Sequence, residues 1–328
     1  MSRCFTPIEI SPKLKNYNGI SQKSDSDLKI TVPCGQCIGC RMNRAEGWAS
    51  RMMHEAQLHE HNSFITLTYD DNHLPPNGSL APDDITLFFK RLRRTLKGKK
   101  ILYYYCGEYG ENLSRPHYHI ALFNHDFHTD RLPHRETQSG KVYRSPTLEK
   151  LWTNGFSEIG NLEYDSARYV AGYIQKKVNG KKQDEHYTQL DQSTGELTLL
   201  HPEFARMSRR PAIGLNWIQQ YSNDIYNYDV CHVGDKKLRP PPYYDKWLKK
   251  TNEQKYNDIK LSREASAFDA GTTNAHDLTY TYAAKVIAAK NVQRSLEGVP
   301  AQSPDGDRLD YYKQRMLENH FWQKKEKK

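Results

Sequence analysis

Residues 101–123 read ILYYYCGEYGENLSRPHYHIALF. Two aromatic and β-branched runs flank a segment of Gly, Asn, Ser and Pro, the pattern of an antiparallel hairpin. Side chains alternate along a strand, so in the second run His117 and His119 share one face while Tyr118, Ile120 and Leu122 take the other. Upstream, FITLTY (64–69) reads as a buried strand. A turn, DDNHLPPNG, separates it from a helix over residues 83–99. Asp83 after Pro82 is its expected N-cap, and Ile85, Phe88, Phe89, Leu92 and Leu96 its apolar stripe. Downstream come a short helix at PTLEKLW, a strand at FSEIGNLE and a helix at SARYVAGYIQKKV (166–178), opened by Asp165 or Ser166 and closed at Asn179–Gly180. The order from residue 64 is β-α-β-β-α-β-α. Its first six elements match the split βαβ pattern, an α+β fold with an antiparallel sheet backed by helices.

The flanks differ in character. Residues 1–40 are turn-rich and end in VPCGQCIGC (32–40), and a helix follows over 41–61 with Trp48, Met52 and Ala56 on one stripe. Beyond residue 181 the chain is more polar. YTQLDQSTGELTLL (187–200) reads as a hairpin turning at Gly195, and SRRPAIGLNWI and LRPPPYYDKW read as irregular docking segments. Helices are expected within 243–269 and 277–297 and over 308–328. The expected organisation is a Cys-rich segment and helix over 1–62, a central domain over 63–220 and a mainly helical region over 221–328.

The chain of 328 residues carries 48 Lys and Arg against 39 Asp and Glu, a net charge of +9, which suits a polyanionic partner. Its 22 tyrosines argue against wholesale disorder. No apolar run approaches the roughly 20 residues of a membrane span, and the N-terminus lacks the apolar stretch of a signal peptide.

Two groups of residues carry chemistry. His117 and His119, with Cα atoms about 7 Å apart on one strand face, are spaced to meet one divalent ion; a half-buried histidine pair is the alternative. Glu108, at the end of the preceding strand, can approach them across the hairpin, and Gly107 and Gly110 suggest a backbone that bends there. Glu111 is the other candidate ligand. Tyr169 and Tyr173, at i and i+4 of a helix, share a face, with Lys176 and Lys177 one turn later. They are either core or lining of a polar cleft, since Val170 and Ile174 already supply an apolar face. A phenolate attacking phosphorus would form a protein–DNA phosphodiester, with an ion polarising the phosphate and lysine neutralising its charge. Cys34, Cys37 and Cys40 have C-x2-C-x2-C spacing, and Cys4 could complete a Cys4 zinc site; reduced thiols or an iron–sulfur cluster are the alternatives. Lys90, Arg91, Arg93, Arg94, Arg115, Arg209 and Arg210 are candidate phosphate contacts, and Tyr103 to Tyr105, Trp217 and Trp247 candidate stacking platforms.

RPHYHIALF followed by a Y-x-x-x-Y helix resembles the HUH (His-hydrophobic-His) endonucleases that initiate rolling-circle replication. FITLTY matches that superfamily's first-strand motif in type and place. More closely, PCGQCIGCRMNRAEGWASR, HEAQLHEHNSFITLTYDD, GEYGENLSRPHYHIALF and ARYVAGYIQKK resemble the replication initiators of gokushoviruses, small single-stranded DNA phages of the microvirus group. The resemblance covers roughly residues 1–220. It implies a HUH/Rep-type fold and a site-specific nicking and strand-joining enzyme. His117 and His119 would be metal ligands and Tyr169 and Tyr173 alternating nucleophiles. Mg2+ or Mn2+ is the implied ion, single-stranded viral origin DNA the substrate, host helicase and polymerase the partners, and the host bacterial cytoplasm the setting. The rival readings are a nonenzymatic DNA- or RNA-binding regulator and a metal phosphodiesterase using water. Tyr118 departs from the aliphatic residue common between the two histidines, and fits a packed face if its hydroxyl finds a partner.

Overall fold

The computed structural model describes residues 4–10, 14–15, 21–22, 30–110, 113–137, 140–172, 183–190 and 195–269. The chain divides into two compact units, one of residues 1–5 and 35–247, the other of residues 6–34 and 248–328. In the second, Ile8–Ile10 pairs with Ile30–Val32, Leu14–Lys15 pairs with Ser21–Gln22, and Glu253–Asp269 is a helix.

The first unit is built on a sheet of seven strands: β1 (Asn62–Tyr69), β2 (Leu102–Tyr109), β3 (Pro116–Phe123), β4 (Leu132–Thr137), β5 (Gly140–Arg144), β6 (Gly155–Gly160) and β7 (Phe204–Met207). Their order across the sheet is β7-β2-β3-β1-β6-β5-β4, and each neighbouring pair is antiparallel. The helices are α1 (Ile38–Gln57), α2 (Pro82–Thr95), α3 (Pro146–Leu151), α4 (Tyr164–Gly172) and α5 (Leu215–Tyr226). This is an α+β fold. β6-β1-β3-β2 interleave as two βαβ halves do, consistent with the expected split βαβ order.

Alternation along the strands makes two cores. Ile65, Leu67, Tyr105, Tyr118, Ile120, Leu122 and Ile159 on one face meet Ile85, Phe88, Phe89 and Leu92 of α2 and Leu148 and Leu151 of α3. Tyr104, Cys106, Ala121 and Phe123 on the other face meet Ala45, Ala49 and Met52 of α1 and Ala167, Val170 and Ala171 of α4. The small residues of α1 and α4 let these two helices pack closely against each other and the sheet. Tyr118 finds the partners its hydroxyl needs: it donates to the Ala81 carbonyl at 2.7 Å, accepts from the Ala81 N–H at 3.1 Å and lies 3.1 Å from the Tyr69 hydroxyl.

Several expectations are corrected. α2 starts at Pro82 with Ala81 as N-cap, so Asp83 sits in the first turn, because proline is preset for the first helical position. α4 starts at Tyr164, with Asp165 in its first turn and the Ser166 hydroxyl accepting from the Glu163 N–H. Gly107 lies inside a regular strand rather than at a bend. Its reason is space, since a Cβ there would stand 3.0–3.1 Å from Phe204, Leu80 and Tyr118. The loop expected after β3 contains the β4–β5 hairpin, and the two segments read as irregular contribute α5 and the helix Pro242–Thr251. β7 and the hairpin Cys231–Val233/Lys236–Leu238 were not anticipated. The expected hairpin around Gly195 is present as Thr188–Leu190 paired with Leu197–Leu199. Asn179–Gly180 and the expected helices over 277–297 and 308–328 lie outside the described residues.

A buried polar cluster ties α1 to the segments after the sheet. Arg51 donates two hydrogen bonds to the Ile213 carbonyl, and Glu55 accepts from the Gly214 N–H at 2.7 Å. His54 stacks on Trp217 with ring centroids 3.7 Å apart and reaches the Tyr244 hydroxyl at 3.1 Å. Burial pushes the His54 imidazole down to about 4, against a weaker upward pull from the His232 carbonyl. The unfolded chain, with its histidine near 6.5, takes up a proton that the folded chain refuses between those values. Stability therefore falls as pH drops from 6.5 towards 4, by about 3 kcal/mol from this residue. Urea unfolding across that range should show a smaller acid-induced loss in His54→Gln than in the parent; identical slopes would refute the assignment. His125, likewise held near 4 by burial, contributes to the trend in both proteins.

Candidate metal centre and nucleophile

β2 and β3 bring the candidate ligands together by register. Glu108 lies directly across from His117, and Cys106 directly across from His119. On the other side of β3, Thr68 faces His117 and Thr66 faces His119. His117 Nε2 is 2.7 Å and His119 Nε2 3.0 Å from the same Glu108 oxygen, Oε1. Both imidazoles are oriented from behind. His117 Nδ1 donates to the Arg115 carbonyl at 3.0 Å, and His119 Nδ1 is 3.0 Å from the Thr66 hydroxyl. The three donor atoms lie within 4.8 Å of one another. With Nδ1 donating to the Arg115 carbonyl, Nε2 is the nitrogen that faces Glu108 and would ligate an ion, an arrangement common for metal-bound histidine.

Burial sets the electrostatics. Glu108 is fully buried, and desolvation alone would raise its carboxyl. The bonds from His117 and His119 outweigh that and hold it below the usual carboxylate range. Burial pushes His119 down, against the upward pull of Glu108, so neutral imidazole faces a carboxylate. Glu108 Oε2 is buried with no hydrogen-bond partner among the described residues. A buried carboxylate oxygen left in that state costs free energy unless a cation meets it. Two nitrogen donors and one carboxylate fit a divalent ion with open positions.

α4 carries Tyr169 to the same side of the sheet. Its ring meets His119 edge-on with centroids 5.2 Å apart and Phe64 at 6.5 Å, while 47 % of the residue remains exposed. Ala167, Val170 and Ala171 hold the helix by their burial against α1 and the sheet, which leaves Tyr169 at the pocket rim. Tyr173, Lys176, Lys177 and Glu111 lie outside the described residues.

The other expected site residues are dispersed. Lys90, Arg91, Arg93 and Arg94 lie on α2, which covers the sheet face opposite the histidines. Arg91 donates to the Leu151 carbonyl, and the Arg93 guanidinium lies over Phe89 and Tyr103. Arg115 is engaged by the Tyr69 carbonyl and by Asp71 at 2.7 Å. Arg209 and Arg210 are exposed. Tyr104, Tyr105 and Trp217 are core residues and unavailable for stacking on bases, Tyr103 is partly buried against the core, and Trp247 is half-buried. The sulfurs of Cys4, Cys37 and Cys40 lie within 4.8 Å of one another, as a thiolate metal site requires. Thr66 was not anticipated. Its signal was available in FITLTY, where alternation places Thr66 and Thr68 on the face opposite Ile65 and Leu67.

An α+β sheet carrying a His-x-His strand, a buried carboxylate across the hairpin and a tyrosine at the rim defines a protein of the HUH class. The family model for replication-associated proteins of the ORF2 type matches residues 62–178. The chain is 36% identical to Replication-associated protein VP4 of Bdellovibrio phage phiMH2K, over 72% of this chain and 73% of that protein. It is 34% identical to Replication-associated protein ORF2 of Spiroplasma virus 4, over 80% of this chain and 86% of that protein. It is 36% identical to Replication-associated protein ORF4 of Chlamydia phage 1, over 50% of this chain and 41% of that protein. No solved structure matches the chain significantly. This chain belongs to the family of phage replication-associated proteins, as a HUH-superfamily replication initiator of a small phage.

Proposed function

We propose that the protein starts rolling-circle replication by nicking single-stranded phage DNA at its origin, holding the 5′ end on a tyrosine and later joining it to a new 3′ end. The observation that carries the reading is the Tyr169 ring against His119, on the sheet face where Glu108 meets both imidazoles. His117, His119 and Glu108 would hold Mg2+ or Mn2+, which would polarise a scissile phosphate oxygen. Thr66 and the Arg115 carbonyl keep the imidazoles aimed. The Tyr169 oxygen attacks phosphorus after losing its proton; the bond from phosphorus to the 3′ oxygen breaks, and that oxygen takes up a proton. The 5′ phosphate stays on tyrosine as a diester, so the reverse attack by a 3′ hydroxyl rejoins the strand without another energy source. Tyr173 is assigned the second attack, and Lys176 and Lys177 the neutralisation of phosphate charge, from their places one and two turns beyond Tyr169 in the sequence. Cys4, Cys34, Cys37 and Cys40 are assigned a structural zinc ion from their spacing. Host helicase and polymerase are the proposed partners and the host cytoplasm the proposed setting; no described helix is long and apolar enough to cross a membrane.

Labelled single-stranded origin DNA incubated with protein and Mn2+, then denatured and resolved by gel, tests the reading. It requires label travelling with protein. Cleavage without protein-bound label would mean water attacks, and binding without cleavage would mean a regulator.

Backbone contacts are proposed for the exposed pair Arg209 and Arg210. Replacing both with Ala should weaken DNA binding similarly for all sequences and flatten the slope of log affinity against log salt by about 1.4, at about 0.7 per phosphate contact on a single strand. An unchanged slope would remove the two arginines from the interface.

A further inference from the structure

A second cluster of metal-ligating side chains lies at the other end of the same strands. His61 immediately precedes β1, and Asp126 and His128 follow β3. Asn62 pairs with Phe123, so the two segments are adjacent. His128 Nδ1 is 2.8 Å and His61 Nδ1 3.5 Å from Asp126 Oδ1. The two imidazoles stack with centroids 4.2 Å apart, and the three donor atoms lie within 4.8 Å of one another.

The loop is shaped to hold this arrangement. Phe127, between the two ligands, is fully buried in the core and has φ +57°, a left-handed conformation that a bulky residue adopts at a cost. Burial of its ring leaves Asp126 and His128 side by side towards His61. Ser63 adds a hydrogen bond to the His125 carbonyl at 3.0 Å. Arg131 lies 3.4 Å from Asp126 Oδ2, while Oδ1 faces the two imidazoles. Asp126 is buried, whereas His128 is exposed, so the cluster opens to solvent on one side.

We propose that His61, Asp126 and His128 form a second divalent-metal site, one suited to a transition ion of the zinc and nickel class. Two of its three donors are imidazole nitrogens, a ligand type that suits zinc and nickel. The site is separate from the Glu108 pocket. Five residue steps of extended chain separate His61 from Thr66, the neighbour of His119, about 17 Å at strand rise. A bound ion would fasten the loop after β3 to the start of β1, the two strands that frame the first pocket.

Equilibrium dialysis of the full chain against Ni2+ alone, with metal analysis, tests the site. His61→Gln/His128→Gln should bind one equivalent less than the parent, and His117→Gln/His119→Gln should retain that equivalent. Equal Ni2+ in the parent and in His61→Gln/His128→Gln overturns the proposal, leaving a hydrogen-bonded cluster only. If the double variant does not fold, His128→Gln alone, altering the most exposed of the three, should still show at least tenfold weaker binding at this equivalent; unchanged affinity there overturns the proposal equally. The readout does not involve DNA cleavage, so it stands or falls apart from the nicking reading.

Discussion

Tyr169→Phe/Tyr173→Phe should yield no detectable DNA–protein adduct and at least a thousandfold less nicking, while binding single-stranded DNA within a few fold of the parent. Phe keeps the ring that packs on His119 and Phe64 and removes only the hydroxyl. Binding rests mainly on cations along the phosphate backbone, which the change does not touch. In the proposed mechanism these two hydroxyls store the 5′ phosphate, so removing both removes the proposed nucleophiles. Single variants divide the roles. Tyr169→Phe should abolish the first adduct if Tyr169 attacks first, and otherwise should spare nicking but reduce the later joining step. Adducts at parental level in the double variant would end the phosphotyrosine assignment.

How far such an assignment can be read from sequence is uneven, for physical reasons. The alternation of HYHIALF decides which face carries His117 and His119, because a strand has one period and no freedom to rotate single residues out of it. Glu108 was reachable by the same logic: a short hairpin constrains register, and register brought Glu108 across from His117. Tyr169 needed more. That α4 and not α3 covers the histidine face follows from tertiary packing of Ala167, Val170 and Ala171 on α1, which no local pattern encodes. β4 escaped notice because its side chains are mostly exposed, so the hydrophobic alternation that marks a buried strand is weak there. The tyrosine run 103–105 misled in the opposite direction. An aromatic ring suits a core as well as a nucleobase, and burial of Tyr104 and Tyr105 distinguishes the two only in three dimensions. The basic stripe of α2 shows the same limit: composition gives its charge, but the fold puts it behind the sheet from the pocket.

The second large effect should come from the three proposed metal ligands, which are not equivalent. His119→Ala should reduce Mn2+-dependent nicking by about a thousandfold to ten-thousandfold, the several kcal/mol that an ion contributes to a phosphoryl transition state. Glu108→Gln should behave differently. It keeps volume and hydrogen-bonding capacity beside both imidazoles but removes the buried charge. Ion affinity should fall by tenfold or more while the nitrogen donors stay aimed by Thr66 and the Arg115 carbonyl. Raising Mn2+ should then recover much of the rate in Glu108→Gln and little in His119→Ala. Melting temperature offers a check independent of DNA. At Mn2+ a hundredfold above its dissociation constant the parent gains about 2.7 kcal/mol, and both variants should gain less at the same concentration. His61 and His128, at the far end of β1 and β3, are unaltered in these proteins, so any stabilisation they confer with an imidazole-seeking ion should persist in both. Parental nicking by Glu108→Gln at limiting Mn2+ would show that the carboxylate is not a ligand, and would leave His117 and His119 to hold the ion with water alone.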